Sequence, residues 1–521
     1  MIKIGEFIRL YIHIKMLFKI SSAALNGITA YIVDVEVDIS LGIPGFVIVG
    51  LPDAAVRESK ERVRAALKNC GYVFPSRKII INLAPADRKK EGSAFDLPIC
   101  LGLLAHLDIF PYEKLQDYLF LGELALDGRL KSGRGILSST VLAREKGFKG
   151  IVIPKENEKE AALVQTINVY GLKNLVQVVR LLMDCESMLP CKYSLKELLP
   201  RVDYEVDFKE IRGQQHVKRA LEVASAGGHN VLLIGPPGAG KTMMARMLPT
   251  ILPPMSFQEI IDVTQIYSAS GLLKKEGAIG ERPFRAPHHT ISSAGLIGGG
   301  IIPKAGEVTL AHHGVLFLDE FPEFRKRILE GLRQPLEDGK VTISRASMAV
   351  TYPSSFMLVA AMNPCEDTFY GLAASDFECT ERQRVQYYSK ISGPLLDRID
   401  IQVEVPKVEF RDIISKFEGE TSAEIRRRVI CARNRQLLRF KGKKIYCNAH
   451  MGSKELKSFC QIDKEGKELL EMAVNKLGFS ARAYTRVLKV GRTIADLSGE
   501  EGISPVHISE AIQYRMMDKY F

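Results

Sequence analysis

Val231-Leu232-Leu233-Ile234 runs directly into Gly235-Pro236-Pro237-Gly238-Ala239-Gly240-Lys241-Thr242, and a helical pattern from Met243 to Leu248 follows. An apolar strand, a G-x-x-x-x-G-K-T loop and a helix in that order form a phosphate-binding loop. Gly235, Gly238 and Gly240 let the backbone turn where a side chain would block it. The loop N–H groups then surround phosphate oxygens at a helix N-terminus, with Pro236, Pro237 and Ala239 completing the cradle. Lys241 supplies a cation for β- and γ-phosphates, and the Thr242 hydroxyl is placed to ligate Mg²⁺.

Working outward, such a loop needs a carboxylate on a neighbouring strand. Val315-Leu316-Phe317-Leu318-Asp319-Glu320 provides one. Four apolar residues predict a buried central strand. Asp319 at its end would hold Mg²⁺, and Glu320 would take the proton of an attacking water. A third strand, Met357 to Met362, ends in Asn363-Pro364, where an amide can position the same water. Arg398, in Ser392-Gly-Pro-Leu-Leu-Asp-Arg-Ile-Asp400, and Arg482, in Ser480-Ala-Arg-Ala-Tyr484, are planar, permanently charged partners for phosphoryl oxygens.

The 521 residues divide by composition into an extension (1–15), a mixed α/β region (16–183), a polar linker (184–208), an alternating α/β region (209–415) and a helical region (416–521). Val33 to Ile39 alternates apolar and acidic residues, as a strand with one wet face does. Phe46 to Val49, Ile79 to Leu83 and Ile151 to Pro154 are further strands, and Ala54 to Lys68 reads as a basic amphipathic helix. Glu6, Arg9, Lys15 and Lys19 interrupt the apolar start, so a signal peptide is not expected. No run of ~18 uncharged apolar residues is present, which excludes a transmembrane helix. Nine scattered cysteines suggest a reduced, cytoplasmic protein rather than a disulfide scaffold.

Lys and Arg total 72 against 61 Asp and Glu, and from residue 421 onward the count is 20 against 11. Between Arg426 and Lys444 there is no acid at all. Arg426, Arg427, Arg428, Arg433, Arg435 and Arg439 share a helix whose apolar face is Ile425, Val429, Ala432 and Leu437, and Lys441, Lys443 and Lys444 follow. Arg426, Arg427, Arg433, Arg435, Lys441, Lys443 and Lys444 are candidate contacts to nucleic-acid phosphates. An equally good reading is a helix that packs on the core and leaves its cations in solvent.

These motifs resemble the AAA+ ATPases of the magnesium-chelatase subunit I type. Phe284-Arg-Ala-Pro-His-His289, Leu296-Ile-Gly-Gly-Gly300, Gly306-Glu-Val-Thr-Leu-Ala-His312 and Leu332-Arg-Gln-Pro-Leu-Glu-Asp-Gly339 carry the likeness. Within that branch the chain resembles the YifB/ComM group. Ser21-Ala-Ala-Leu-Asn-Gly-Ile-Thr29, Val49-Gly-Leu-Pro-Asp-Ala-Ala-Val-Arg-Glu-Ser59, Lys90-Glu-Gly-Ser-Ala-Phe-Asp-Leu-Pro98 and Gly491-Arg-Thr-Ile-Ala-Asp-Leu497 are its signatures.

The resemblance implies an α/β fold: a P-loop core of parallel sheet and flanking helices, a Lon-protease-like α+β domain before it and a helical lid after it. It implies ATP and Mg²⁺ as ligands, and homo-oligomeric rings, usually hexamers. Arg398 would be the finger acting on a neighbour's nucleotide, Arg482 the lid arginine, Asn363 the water sensor, and Ile211 and Gly213 the adenine contacts. It implies a DNA partner, single-stranded or branched, and branch migration during integration of transforming DNA. Remodelling of a protein partner, as in chelatases, and an ATP-switched regulator are the alternatives. The intact Asp319, Glu320, Asn363 and Arg398 argue against the second, and the fused first domain against the first.

Departures from the family are informative. Ser93 falls where a Lon-type nucleophile would be, but Gly135-Ile-Leu-Ser-Ser-Thr140 lacks the lysine base that such a serine needs, and Lys131 comes before the matching turn. Proteolysis is therefore not expected. Cys365 and Cys379 remain from a four-thiolate pattern, with Asp367 and Phe377 in the partner positions, so no structural zinc is expected and the thiols are read as inert. His288-His289 and His312-His313 are read as strand neighbours facing opposite ways, unsuited to one metal. Gly298 to Gly300, without a following Lys-Thr, is read as a mobile insert loop. Met16 resembles the family's usual start, which makes residues 1–15 dispensable or untranslated.

Overall fold

The computed structural model describes residues 17–184, 188–199, 204–273, 277–300, 303–345, 348–366, 379–408, 411, 419–443 and 445–516. Met16 and the segment before it, Asp367, Phe377 and Lys444 lie outside them. The chain forms two compact units: Met1–Arg201 with Ile260–Gly280, and Val202–Glu259 with Glu281–Phe521. Ile260–Gly280 falls within the span read from sequence as ATPase core, yet belongs to the first unit.

In the first unit, Leu17–Asn26 and Thr29–Ser40 pair as an antiparallel hairpin. Val33, Val35, Val37 and Ile39 are buried, and the intervening acids line the other face. Lys78–Ala84 adds antiparallel to the hairpin, and Gly45–Val49 adds parallel beyond it. A three-stranded parallel sheet of Tyr118–Phe120, Gly150–Pro154 and Asn168–Leu172 follows. The helix expected over Ala54 to Lys68 is stepped: Ala54–Arg57, capped by the Asp53 side chain, then Ser59–Asn69. The second piece is tied to the buried helix Asp96–His106 by a bidentate pair, Arg62 Nε to Asp96 Oδ2 at 2.6 Å and Nη2 to Oδ1 at 3.0 Å.

In the second unit, five parallel strands lie in the order Phe284–Arg285, Val315–Leu318, Met357–Met362, Val231–Ile234, Ile401–Glu404. The middle three are buried along their whole length, as parallel strands covered on both faces must be. Parallel pairing puts every strand's carboxyl end at one edge, where ligands of open α/β sheets bind. Gln215–Gly227 and the phosphate-loop helix Lys241–Ile251 share the core with these strands. From residue 419 the described chain is helical: Ser422–Arg439, Lys464–Leu477, Ala481–Ser498 and Pro505–Gln513 are its longer helices. Among the described residues no helix is long and apolar enough to cross a membrane.

The basic helix Ser422–Arg439 buries Ile425, Val429 and Ala432, as expected, but Leu437 is 45% exposed and Gln436 is buried in its stead. Steps of four, three and four residues keep 425, 429, 432 and 436 on one stripe, and 437 lies one residue past it. Gln436 suits the place because it is satisfied there, donating to Ala226 O at 3.1 Å and accepting from Asn448 N at 3.1 Å.

Candidate active site

The phosphate loop joins the carboxyl end of the central strand to the helix Lys241–Ile251. Gly238 and Gly240 have φ of +77° and +87°, which branched side chains do not tolerate. At Gly235 a Cβ would lie 2.1 Å from the Val405 carbonyl oxygen, so the loop passes the neighbouring strand too closely for any side chain. Lys241 is buried, and its ammonium donates to Gly235 O (2.6 Å), Pro236 O (2.9 Å) and Asn363 Oδ1 (3.0 Å). Thr242 Oγ1 donates to Asp319 Oδ2 at 2.7 Å, and Asp319 Oδ1 accepts from the Glu320 N–H at 3.0 Å. Lys241, Thr242, Asp319, Glu320 and Asn363, drawn from three strand ends, thus meet at one sheet edge.

The donor set fits a Mg²⁺–triphosphate. A buried ammonium resting on three neutral oxygens is ready to exchange them for phosphate oxygens. A hydroxyl and a carboxylate at hydrogen-bond distance can both turn to one hard cation. Ile211 is buried in the core that also holds Ala239 of the loop, and Gly213 has φ of +60°. Between them and the loop runs a link that sequence reading missed: Gln214 Nε2 donates to Ala239 O (3.1 Å) and to Pro406 O (2.8 Å).

A second unforeseen contact is His289 Nδ1 to Glu320 Oε2 at 2.9 Å. It holds the carboxylate assigned as base, which sits on a left-handed residue with φ of +51°. The histidine pairs depart from the expected strand geometry: both lie in irregular chain or turns. Their rings lie face by face, centroids 4.1 Å apart in His288–His289 and 3.9 Å in His312–His313, so alternation does not apply to them. Gly298–Gly299 pairs with Lys304–Ala305 as a short ladder.

Arg398 and Arg482 are not brought to this edge. Arg398 precedes Ile401–Glu404 and so lies at the sheet's amino edge, where its guanidinium pairs with Glu337 and its carbonyl accepts from Asn230 Nδ2 at 2.8 Å. Arg482 sits beside it, 3.6 Å from Asp397 and well exposed. Two residues past Arg398, Asp400 is buried. Burial alone would raise its pKa, but Arg486 at 2.8 Å and His229 at 3.4 Å outweigh burial and hold it well below the usual carboxylate range. Asn230 N also donates to it at 3.1 Å. His229-Asn230, two polar residues at the foot of an apolar strand, were the available signal for this network.

The candidate nucleic-acid residues separate sharply. Arg433 donates to Ala226 O and Ser225 O, both at 3.1 Å, and burial pulls its pKa down. Arg435 donates to Asp496 O, and Lys443 pairs with Glu455 at 2.9 Å. Arg433 and Arg435 therefore hold the helix to its neighbours and do not form a solvent-facing row. Arg426, Arg427 and Lys441 have no such ion pair among the described residues, and Lys444 is outside them. Cys365 and Cys379, read as inert thiols, are joined as a disulfide just after Asn363. In the first unit Ser93 Oγ donates to Glu123, and the nearby Lys90 is buried on Pro85 O and Arg88 O.

A phosphate loop, an Asp-Glu strand and a sensor asparagine at the carboxyl edge of this sheet, followed by a helical lid, define a P-loop ATPase of the AAA+ magnesium-chelatase class. The pattern of "Magnesium chelatase, subunit ChlI" matches residues 207–413, that of "Subunit ChlI of Mg-chelatase" residues 35–157, and that of the ChlI C-terminal region residues 419–515. The chain is 43% identical over 502 residues to competence protein ComM of Haemophilus influenzae, covering 95% of this chain and 97% of that one. It is 41% identical over 506 residues to YifB of Escherichia coli, covering 96% and 97%. It is also 33% identical over 161 residues to Lon protease 2 of Bacillus subtilis, covering 29% of each. The chain belongs to the ComM/YifB family.

Proposed function

We propose that this protein hydrolyses ATP between neighbouring copies of itself and uses the turnover to move DNA. The observation that carries the proposal is the meeting of Lys241, Thr242, Asp319, Glu320 and Asn363 at one sheet edge, with the ammonium, hydroxyl and carboxylates already in mutual contact. Lys241 draws charge from the β- and γ-phosphates. Thr242 and Asp319 are the holders of Mg²⁺, which supplies charge neutralisation on the same oxygens. Glu320 accepts the proton of a water that Asn363 orients, as the water oxygen bonds to the γ-phosphorus and the bond to the bridging oxygen breaks. Ile211 and Gly213 flank the adenine.

Arg398 and Arg482 lie at the opposite edge from their own phosphate loop, which suits a role on the next copy's nucleotide. Arg398 must exchange Glu337 for phosphate to act, so ring closure and finger release are one event. A hexameric ring is the assembly we propose.

DNA as the cargo rests on less: the excess of cations in the last fifth of the chain, and a close relative that is named a competence protein. The test is phosphate release with and without single-stranded or branched DNA across a salt series. Stimulation that fades steeply with salt supports a polyanion cargo. Turnover indifferent to DNA and salt removes it and leaves the ATPase.

A further inference from the structure

On one helix, Ser422–Arg439, six arginines divide into two kinds. Arg428 pairs with Glu222 and Glu420, Arg433 and Arg435 donate to carbonyls, and Arg439 pairs with Asp496. Arg426 and Arg427 make no hydrogen bond or ion pair among the described residues, and the Arg426 Nε–H is buried without an acceptor. A buried guanidinium donor left unsatisfied is costly, and it is found where something else supplies the acceptor.

Both residues line a cleft of about 310 Å³ with Tyr204, Asp207, Thr250 and Ser422. This is at the low end of the ~300–1,000 Å³ range of ligand sites. The floor is internally satisfied. Ser422 Oγ accepts from Phe208 N and shares a hydrogen with Thr250 Oγ1, each at 2.8 Å, and Asp207 Oδ1 accepts from Ser422 N at 3.0 Å. It therefore fixes the end of the phosphate-loop helix, which carries Thr250, to the start of the basic helix. One wall is aromatic: the Arg426 guanidinium carbon lies 5.9 Å from the centre of the Tyr204 ring.

We infer that this cleft binds a phosphate ester bearing a planar base, supplied as one nucleotide of a single strand, with the phosphate on Arg426 and Arg427 and the base against Tyr204. Guanidinium pairs match phosphate oxygens, and aromatic faces stack bases without regard to sequence. The inference rests on the proposal that the protein acts on DNA. It gives that cargo a contact at the far end of the helix that begins with Lys241, so strand binding and nucleotide binding share one rigid element.

The test is binding of labelled oligothymidylate, thymidine monophosphate, inorganic phosphate and polyglutamate to the full chain and its variants. The Arg426→Gln/Arg427→Gln double variant should lose at least tenfold in oligothymidylate affinity. Its salt slope should fall by about 1.4, since each phosphate contact on a single strand contributes ~0.7. Tyr204→Ala should lose about tenfold and Tyr204→Phe almost nothing, as stacking requires. If the double variant does not fold, Arg427→Gln, on an exposed side chain, carries the test with half the slope change.

Equal oligothymidylate binding by wild type and variants overturns the cleft and leaves DNA action standing. Arginine-dependent binding of thymidine monophosphate or phosphate with no affinity for the strand keeps the phosphate contact but overturns the strand and the DNA reading together. Polyglutamate competing as well as the oligonucleotide overturns the nucleotide class. No binding of any probe overturns the site.

Discussion

A hydroxyl donating to a carboxylate occurs in both units, and the two cases mean different things. Thr242–Asp319 stands at the carboxyl edge of a parallel sheet, with a buried ammonium, a sensor amide and a turned glycine loop within one shell. Ser93–Glu123 stands in a loop hung on the first unit's own backbone: Asp53 accepts from Gly92 N and Val56 N, and Lys90 N donates to Leu51 O. The first pair has neighbours that need a ligand. The second has neighbours that already satisfy one another, and its serine faces an acceptor where a nucleophile would need a base. Likeness of single residues to a catalytic family is weak; convergence of several unsatisfied or exchangeable groups is what marks a site.

The contrast can be broken most severely by paired substitutions. Glu320→Gln should lower ATP turnover by ~10²–10⁴-fold while ATP still binds, and Ser93→Ala should leave turnover unchanged; phosphate-release assays on both read this directly. Next in size is the first unit's buried pair. Arg62→Met strands the Asp96 carboxylate and should destabilise that unit by about 3 kcal/mol, seen as an early transition in urea unfolding.

A smaller effect concerns Asp400, whose folded pKa is below its unfolded value of ~3.9. The folded state then binds fewer protons, so its contribution is full above pH ~4 and is lost as pH falls further. Asp400→Asn should lose stability at neutral pH and show a shallower acid limb in pH-dependent melting. Removing the His289 contact frees the Glu320 carboxylate; one hydrogen bond of ~0.5–1.5 kcal/mol predicts a two- to tenfold rise in basal turnover for His289→Ala. A fall would make His289 a positioning residue for Glu320. Least of all, Ser93→Ala should change stability by no more than about 1 kcal/mol by thermal melting.

The second unit was legible because its signals are local and redundant. Val231–Ile234, Val315–Leu318 and Met357–Met362 each read as buried strands, and each ends in a group that the sheet brings to one edge. Gln214, His289 and the His229–Asp400–Arg486 network were not legible, since their partners are far apart in the chain and nothing in their spacing announces them. The basic helix illustrates the limit best. Its charge is plain in sequence, but which arginines face carbonyls and which face a cleft depends on Ala226, Asp496 and Tyr204, contributed by other elements. The Cys365–Cys379 bond was misread because the sequence offered two thiols without a geometry.

The central claim is that the assembled edge splits ATP. The most direct measurement is inorganic phosphate released by the purified full chain with ATP and Mg²⁺, beside its Glu320→Gln variant. Steady release by the wild type and its loss in a variant that still binds ATP is the predicted result. Equal release by both, or none by the wild type in its assembled form, would contradict it.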